Sequence, residues 1–236
     1  MADEKFEEQE LPVVETKGTS IEKAEDFFEK NKNILAYVLV GVLAIVAGYL
    51  GWTKFIIEPR EKDAQAKMWT AERYFEKDSL DKAINGDGNY PGFEEIANGY
   101  GMTKSANLAE YYWGISLLKK GQFEEAIEHL KKFDSDDQMV GAVALGAIGD
   151  ANMELGKKDE ALDYYLKAAN KVTNDFTTPV YLMKAAVAYE EAGNYDGAVA
   201  IYQQIKDKFP KTREAQDAPK YMARAKALAE SSKATK

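Results

Sequence analysis

The chain has 236 residues, no cysteine, one histidine and a formal net charge of −9. This length predicts one modest domain together with an additional segment. The missing cysteine excludes disulfides, thiol catalysis, cysteine-based metal sites and acylation at cysteine, and one histidine leaves little for zinc or a catalytic triad. The acidic balance argues against nucleic acid as a partner, because nucleic-acid sites need clustered Lys and Arg.

An acidic tail occupies residues 1–33, with ten acids against five lysines. Its first part has the composition of a disordered segment. Thr19 and Glu22 then match a capping box, which predicts the start of a short helix. Phe27 and Phe28 give this helix an apolar face. Two interpretations stay open: an amphipathic helix lying on a membrane surface, or a turn that leads into the next segment.

An apolar stretch at residues 34–57 predicts a transmembrane helix. Its core, Ile34–Trp52, contains nineteen uncharged residues, which span roughly 28 Å as a helix, close to the hydrocarbon thickness of a bilayer. Tyr49 and Trp52 stand near one end, where aromatic rings favour the interface. A cleaved signal peptide fits poorly, because a long acidic segment comes first. A buried helix of a soluble domain fits worse, since no other stretch could surround so apolar a cylinder.

The apolar stretch also carries a stripe of small residues, spaced by three, four and three. Such stripes let helices pack closely in lipid. One hypothesis is therefore a packing face for another membrane helix. The other is a passive anchor, because glycine is common in membrane helices. The stripe consists of Gly41, Ala44, Gly48 and Gly51.

Residues 58–106 predict a linker helix and a degenerate first repeat. Pro59 indicates a kink or a new helix start, and a polar helical pattern follows. The repeat is expected within Glu61–Tyr100, with its second helix around Phe93–Ala97. Asn85–Gly92 is interpreted as a connector, because its residues do not match the ligand positions of a calcium loop.

Residues 107–210 repeat with a period of about 35, marked by Gly121, Gly156 and Gly193. This period is typical of stacked helix–turn–helix units. The segments resemble the tetratricopeptide repeat, with three copies that start at Asn107, Ala142 and Pro179. Residues 211–236 are predicted to form a capping helix and a tail, since solenoids need a polar end. Three positions of each copy carry the resemblance, namely small residues at Gly114, Gly149 and Ala186, alanines at Ala126, Ala161 and Ala198, and bulky residues at Leu130, Tyr165 and Tyr202.

The predicted fold is therefore all-α: one transmembrane helix followed by a solenoid of three to four tetratricopeptide repeats with a capping helix. No catalytic constellation, cofactor motif or metal-ligand set is evident, so the chain is not expected to be an enzyme. His129 lies in a run of acids without a second ligand. We expect it to be a solvated surface residue.

The resemblance to tetratricopeptide proteins implies a concave protein-binding groove on the first helix of each repeat. The groove is apolar, and an exposed apolar surface of this kind usually binds a partner. An alternative is that the Glu61–Phe75 helix or the terminal helix fills it. A clamp for an acidic peptide is disfavoured, because Lys184 alone matches the polar residues of such clamps. The predicted groove residues are Leu108, Tyr111, Ile115, Leu118, Val143, Met153, Val180, Met183 and Val187.

The whole layout resembles the YfgM-like family of bacterial inner-membrane proteins. The shared features are the acidic tail, Phe27–Phe28 followed by Asn31–Lys32, a glycine-rich span that ends in Trp52, and the repeat domain. The resemblance implies an ancillary subunit of the Sec translocon that links the channel to periplasmic chaperones or emerging client polypeptides. It also implies a cytoplasmic N-terminus and a periplasmic repeat domain. Positive charge near the span does not decide the orientation, since four Lys or Arg lie on each side.

Two alternatives belong to other functional classes. One is a cell-envelope assembly or division scaffold unrelated to the translocon, which co-purification would distinguish by its partners. The other is an enzyme whose site is spread over the groove. Loss of function on removal of the span, with the repeat domain still folded, would favour a scaffold whose localisation matters.

Overall fold

The computed structural model describes residues 20–234, which are helices joined by loops, without a strand in that range. The predicted all-α class is confirmed. The chain divides into two compact units between Ile56 and Ile57. The predicted capping residue Thr19 and most of the acidic tail lie outside the described range.

In the first unit, the main element of the described residues is the helix α1, which runs from Ser20 to Trp52. None of its described side chains is buried; Ile45 is 74% exposed and Leu50 is 59% exposed. The helical run that contains these residues is long and apolar enough to cross a bilayer, and no other helix between residues 20 and 234 meets that criterion. Length and composition therefore agree with the predicted span.

A π-helical segment at Thr53–Ile57 separates α1 from α2, which spans Glu58–Glu76. Pro59 stands in the first turn of α2. Because proline has no N–H, it cannot donate to the carbonyl of the residue four positions earlier, so regular α-helical bonding is interrupted there. Just before it, the Thr53 hydroxyl donates to the carbonyl of Tyr49 at 2.9 Å, a bond that loosens helices. Pro59, predicted to mark either a kink or a new helix start, lies in the first turn of α2.

The second unit is a stack of helical hairpins with two short helices near its beginning. The short helices are α3 (Leu80–Asn85) and α4 (Phe93–Gly99). The hairpins are α5 (Lys104–Lys119) with α6 (Phe123–Lys132), α7 (Gln138–Glu154) with α8 (Lys158–Lys171), and α9 (Thr178–Glu191) with α10 (Tyr195–Lys208). The last helix is α11 (Arg213–Ala234).

The turn inside each hairpin uses a glycine with positive φ. Gly121, Gly156 and Gly193 have φ of 78°, 72° and 76°, a left-handed conformation that costs glycine little. In each turn the N–H after the glycine donates to a carbonyl five residues back, at 2.8–2.9 Å. This Schellman arrangement satisfies the free carbonyls at the helix end. The regular glycine spacing in the sequence therefore reports three copies of one turn.

The degenerate first repeat consists of α2 and α3. Asp78 takes the place of the turn glycine with φ 57°, and the Ser79 N–H donates to the Tyr74 carbonyl at 2.8 Å. Ala71 and Ala83 are fully buried and stand twelve residues apart, as Gly149 and Ala161 do. We expected the second helix of this repeat at Phe93–Ala97, where α4 does form. The turn geometry shows instead that α3 is the second helix of this repeat. The sequence pattern does not predict α3.

Small residues let the two helices of each hairpin cross closely. A Cβ added to Gly149 would lie 2.6 Å from two ring carbons of Tyr165, and one added to Gly114 would lie 2.6 Å from Cγ of Leu130. The alanine of each second helix is fully buried. At these distances a larger residue would force the facing side chain or the backbone to move. The packing reason inferred from the repeat pattern is thus visible in the structure.

The last helix, α11, packs on α9 and α10 and covers the end of the stack. Ala218 and Ala225 are fully buried against the same core as Tyr202 and Ile205. The predicted capping helix at the C-terminal end is thus present, from Arg213 to Ala234.

Replacing Gly149 with alanine should lower the free energy of unfolding by about 1–3 kcal/mol, because the new methyl group would overlap the Tyr165 ring. Gly99→Ala is the matched control, since nothing lies within 4 Å of its added Cβ and alanine favours a helix. Urea unfolding of both variants measures the difference. Equal midpoints for the two variants would contradict the close crossing at Gly149.

Candidate protein-binding groove

The predicted groove residues lie on the first helices of the three hairpins, α5, α7 and α9. Each of their side chains is half-buried, so none is fully open to solvent and none belongs entirely to the core. These residues are Leu108, Tyr111, Ile115 and Leu118 on α5, Val143 and Met153 on α7, and Val180, Met183 and Val187 on α9.

Part of this apolar surface holds neighbouring repeats together. Tyr111, Ile115 and Leu118 pack against a buried cluster that includes Leu130 and Ile148. One side of each α5 side chain therefore stabilises the junction between the first and second hairpins. The other side of each of these side chains remains exposed to the groove. The apolar surface of the groove is therefore held in place by core packing.

The groove centre is not filled by either helix that the sequence offered for this role. α2 packs on α3, α4 and α5, and α11 packs on α9 and α10. The described helices that contact α7 are α5, α6, α8 and also α9, whose Tyr181 ring lies over Gly146. α2 and α11 therefore stand at the two ends of the stack, and the outward side of α7 faces neither of them.

A polar cluster lies on the groove at the junction of the second and third hairpins. Both carboxylate oxygens of Asp150 accept from Nζ of Lys184 at 2.7 Å, and the Tyr165 hydroxyl donates to Oδ1 of Asp150 at 2.7 Å. The Lys184 ammonium also lies 5.7 Å from the Tyr165 ring centroid. The cluster joins α7, α8 and α9 and leaves about a third of the Asp150 and Lys184 side chains exposed.

Burial controls the protonation of the two tyrosines near this cluster. Burial, followed by the negative charge of Asp150, raises the pKa of Tyr165 far above its ordinary value. The same two causes, in the same order, raise the pKa of Tyr181 to about 12. Both hydroxyls therefore stay protonated at neutral pH, and the Tyr165 hydroxyl donates to Asp150.

Lys184 is the one groove residue that matches the polar residues expected in a clamp for an acidic peptide. Its ammonium is already neutralised by Asp150, so an incoming carboxylate would have to compete with an existing ion pair. The structure therefore gives a physical reason for the expectation that this groove does not clamp an acidic terminus.

The expectation that His129 is solvated is wrong. Its Nδ1 lies 2.6 Å from Oε2 of Glu110, and only 12% of the side chain is exposed. Its ring stacks on Trp113 at 3.6 Å between centroids. Glu110 and Trp113 stand three residues apart on α5, a spacing that places them on one helix face. That spacing was the available sequence signal, but only the tertiary contacts place His129 in the packing between α5 and α6.

The loop at Asn85–Gly92 behaves as the predicted connector. The Asp87 carboxylate accepts from the N–H groups of Asn89 and Tyr90 and from the Tyr74 hydroxyl, at 2.7–2.9 Å. The Tyr74 bond, and next the two backbone bonds, lower the pKa of Asp87. Across the described part of the chain, no group of three or more His, Asp or Glu could hold a metal ion.

Two family models match this part of the chain, and both describe the tetratricopeptide repeat. They cover residues 111–176 and 181–212. The matched residues coincide with the hairpins from α5 to α10. Together with the fold, the matches support a tetratricopeptide repeat protein. No curated protein matches the chain.

Two solved structures of one repeat protein have a similar fold. A variant of a Podosopora anserina protein with nearly identical TPR-like repeats matches with a TM-score of 0.57 at 16% identity, over 74% of this chain and 90% of that one. The unsubstituted protein matches with a TM-score of 0.55 at 15% identity, over 72% and 89%. MamA matches with 0.48 at 21% identity, over 70% and 97%. At 16% and 15% identity, the similarity to the first two structures concerns the fold alone.

The chain should lose stability in alkali as Tyr181 ionises. Its folded pKa is about 12, whereas an unfolded tyrosine titrates near about 10. The folded state holds the Tyr181 proton more strongly than the unfolded state does, so this proton stabilises the fold. The stabilisation is fully present below pH ~10 and is lost as pH rises through the folded pKa. Urea unfolding between neutral pH and pH ~12, compared with Tyr181→Phe, measures it. A loss of equal size in both chains would exclude Tyr181 as the cause.

Proposed function

We propose that this protein is a membrane-anchored, non-enzymatic scaffold that binds extended segments of other proteins in the groove of α5, α7 and α9. The observation that carries the proposal is a half-buried apolar row on three successive first helices, whose centre neither α2 nor α11 covers. A chain with a helix apolar enough to span a bilayer would hold that groove near the membrane.

The chemistry of the groove suits an apolar polypeptide segment. Half-buried side chains such as Val143, Met153 and Met183 can gain burial without rearranging the repeats, and this gain drives association. Methionine adapts its shape to varied ligands. The neutralised Asp150–Lys184 pair adds polar atoms without a net charge, so the groove favours an uncharged segment over a strongly acidic or basic one.

The more specific proposal follows from the resemblance to the YfgM-like family. The protein would be an ancillary translocon subunit of the bacterial inner membrane, with a cytoplasmic N-terminus and a periplasmic repeat domain that meets chaperones or emerging clients. A cysteine introduced at Lys226, labelled from outside intact cells, tests this orientation. The competing proposal is a scaffold for envelope assembly or division, and the two predict different partners.

We also propose that the small-residue stripe of α1 packs against a helix of another membrane protein. Gly41 and Gly48 have no other part of the described chain within 4 Å of an added Cβ, so the stripe is open. A close approach between helix backbones in lipid needs such residues.

Photo-crosslinking amino acids in the groove should capture polypeptide partners in cells. We would place them at Val143 and Met183, with Glu160 and Lys206 on the exposed second helices as controls. Crosslinks confined to the groove positions support groove binding. Translocon subunits, chaperones or nascent chains among the products support the specific role, and division or envelope proteins support the competing one. Equal crosslinking at all four positions would refute groove binding.

Gly48→Leu should reduce recovery of membrane partners without preventing insertion, because the larger side chain blocks close helix packing. Val46→Leu is the control, since Val46 lies on the opposite side of α1 from the stripe. Purification in mild detergent, followed by quantification of partners, compares them. If partner recovery is the same for both variants, α1 is a passive anchor.

A further inference from the structure

A row of exposed apolar side chains marks one edge of the repeat domain. Met102 is 76% exposed, Met139 is 47% exposed and Phe176 is 76% exposed. They stand where one hairpin ends and the next first helix begins, and successive members are 37 residues apart in the sequence. One such residue therefore occurs in each repeat period.

The opposite edge of the domain has a different character. It is formed by the turns inside the hairpins, at residues 120–122, 155–157 and 192–194. None of the described residues in these turns is a large exposed hydrophobic side chain. Their exposed positions include Lys120, Lys157 and Asn194. The apolar row thus belongs to one edge only.

The loops that carry the row form a continuous surface. Asp134 and Asn107 exchange two hydrogen bonds, which join the loop after α6 to the first turn of α5 beside Met102. Further along, a Cβ added to Gly141 in α7 would lie 3.1 Å from Cε of Lys171 at the end of α8. Successive loops along this edge therefore touch neighbouring helix ends.

The same edge is the place where the chain enters the domain from the apolar helix. Arg60, in the first turn of α2, donates to the carbonyl of Gly99 at 2.7 Å. The Glu61 carboxylate accepts from the Lys104 N–H and from the Ser105 hydroxyl, both at 2.6 Å. We call this surface the anchor edge: the first turns of α2, α5, α7 and α9 with the loops at residues 100–103, 133–137 and 172–177.

The apolar tips of the anchor edge are held by ordered backbone. Oδ1 of Asn174 accepts from the N–H groups of Phe176 and Thr177 at 2.7 Å, and Oδ1 of Asp137 accepts from the Met139 N–H at 2.8 Å. Met102 has φ 67°, a conformation that favours glycine. A methionine therefore stands there at a conformational cost, with its side chain directed into solvent.

We propose that the anchor edge rests on the lipid bilayer, with Met102, Met139 and Phe176 inserted into its interface. The inference depends on the proposed membrane anchoring. Glu58 lies six positions after Trp52, at the end of the span, so even an extended chain keeps the first turn of α2 within about 21 Å of the hydrocarbon boundary. The loops of the anchor edge carry Asp134, Asp136, Asp137 and Asp175 and no Lys or Arg. Attraction to anionic lipid therefore cannot provide the contact, which leaves apolar insertion.

Single cysteines in this cysteine-free chain test the contact. The full chain is placed in phosphatidylcholine nanodiscs that each hold one copy, and a polarity-sensitive fluorophore is attached at Met139→Cys or Phe176→Cys. Lys157→Cys and Ala192→Cys at the opposite edge are matched controls, and Leu43→Cys in α1 reports the span. We expect anchor-edge labels to emit at shorter wavelength and to be quenched by headgroup-level nitroxide lipids, unlike both controls.

The outcomes separate the two proposals. If the anchor-edge labels emit like the opposite-edge controls while the Leu43 label is quenched by lipids that carry a nitroxide on the acyl chain, the bilayer contact is refuted and the anchoring stands. If the Leu43 label is also unquenched, the proposed anchoring itself fails. Retained quenching at Phe176→Cys when Met102 and Met139 are changed to aspartate would show that the three residues do not act as one contact.

Discussion

The close contact between a small residue on one helix and a large side chain on its partner underlies the whole repeat domain. At Gly149 and Gly114 the partner atoms lie so near that even a methyl group would overlap them. This proximity sets the distance between paired helices and buries the alanine opposite each crossing. Each hairpin has a small residue at this crossing, glycine in the first two and Ala186 in the third, and each uses the same glycine turn. The hairpins therefore stack in a regular way.

The same crossing also shapes the groove. Tyr165 packs against Gly149 with its ring and reaches Asp150 with its hydroxyl, and Asp150 in turn binds Lys184 of the next repeat. A packing contact within one hairpin is therefore connected through two polar bonds to its neighbour. The result is a groove whose cation is already neutralised, which separates it chemically from grooves that clamp acidic termini.

The sequence predicted most of the fold because its signals are local. Hydrophobic length indicates the apolar helix, and the glycine period indicates the turns of the three regular hairpins. Two features escaped prediction. α3 was missed because Asp78 replaces the turn glycine, so the repeat was recognisable only through the spacing of Ala71 and Ala83. His129 was misjudged because its partners, Glu110 and Trp113, come from another helix.

The residue types alone determined an all-helical repeat chain with one apolar helix, since periodicity and small-residue spacing depend only on sequence separation. Tertiary structure decided which apolar surfaces remain available. The sequence left open whether the Glu61–Phe75 segment or the terminal helix fills the groove, and α2 and α11 pack at the ends of the stack. That outcome depends on distances between helices far apart in the sequence, which no local pattern encodes.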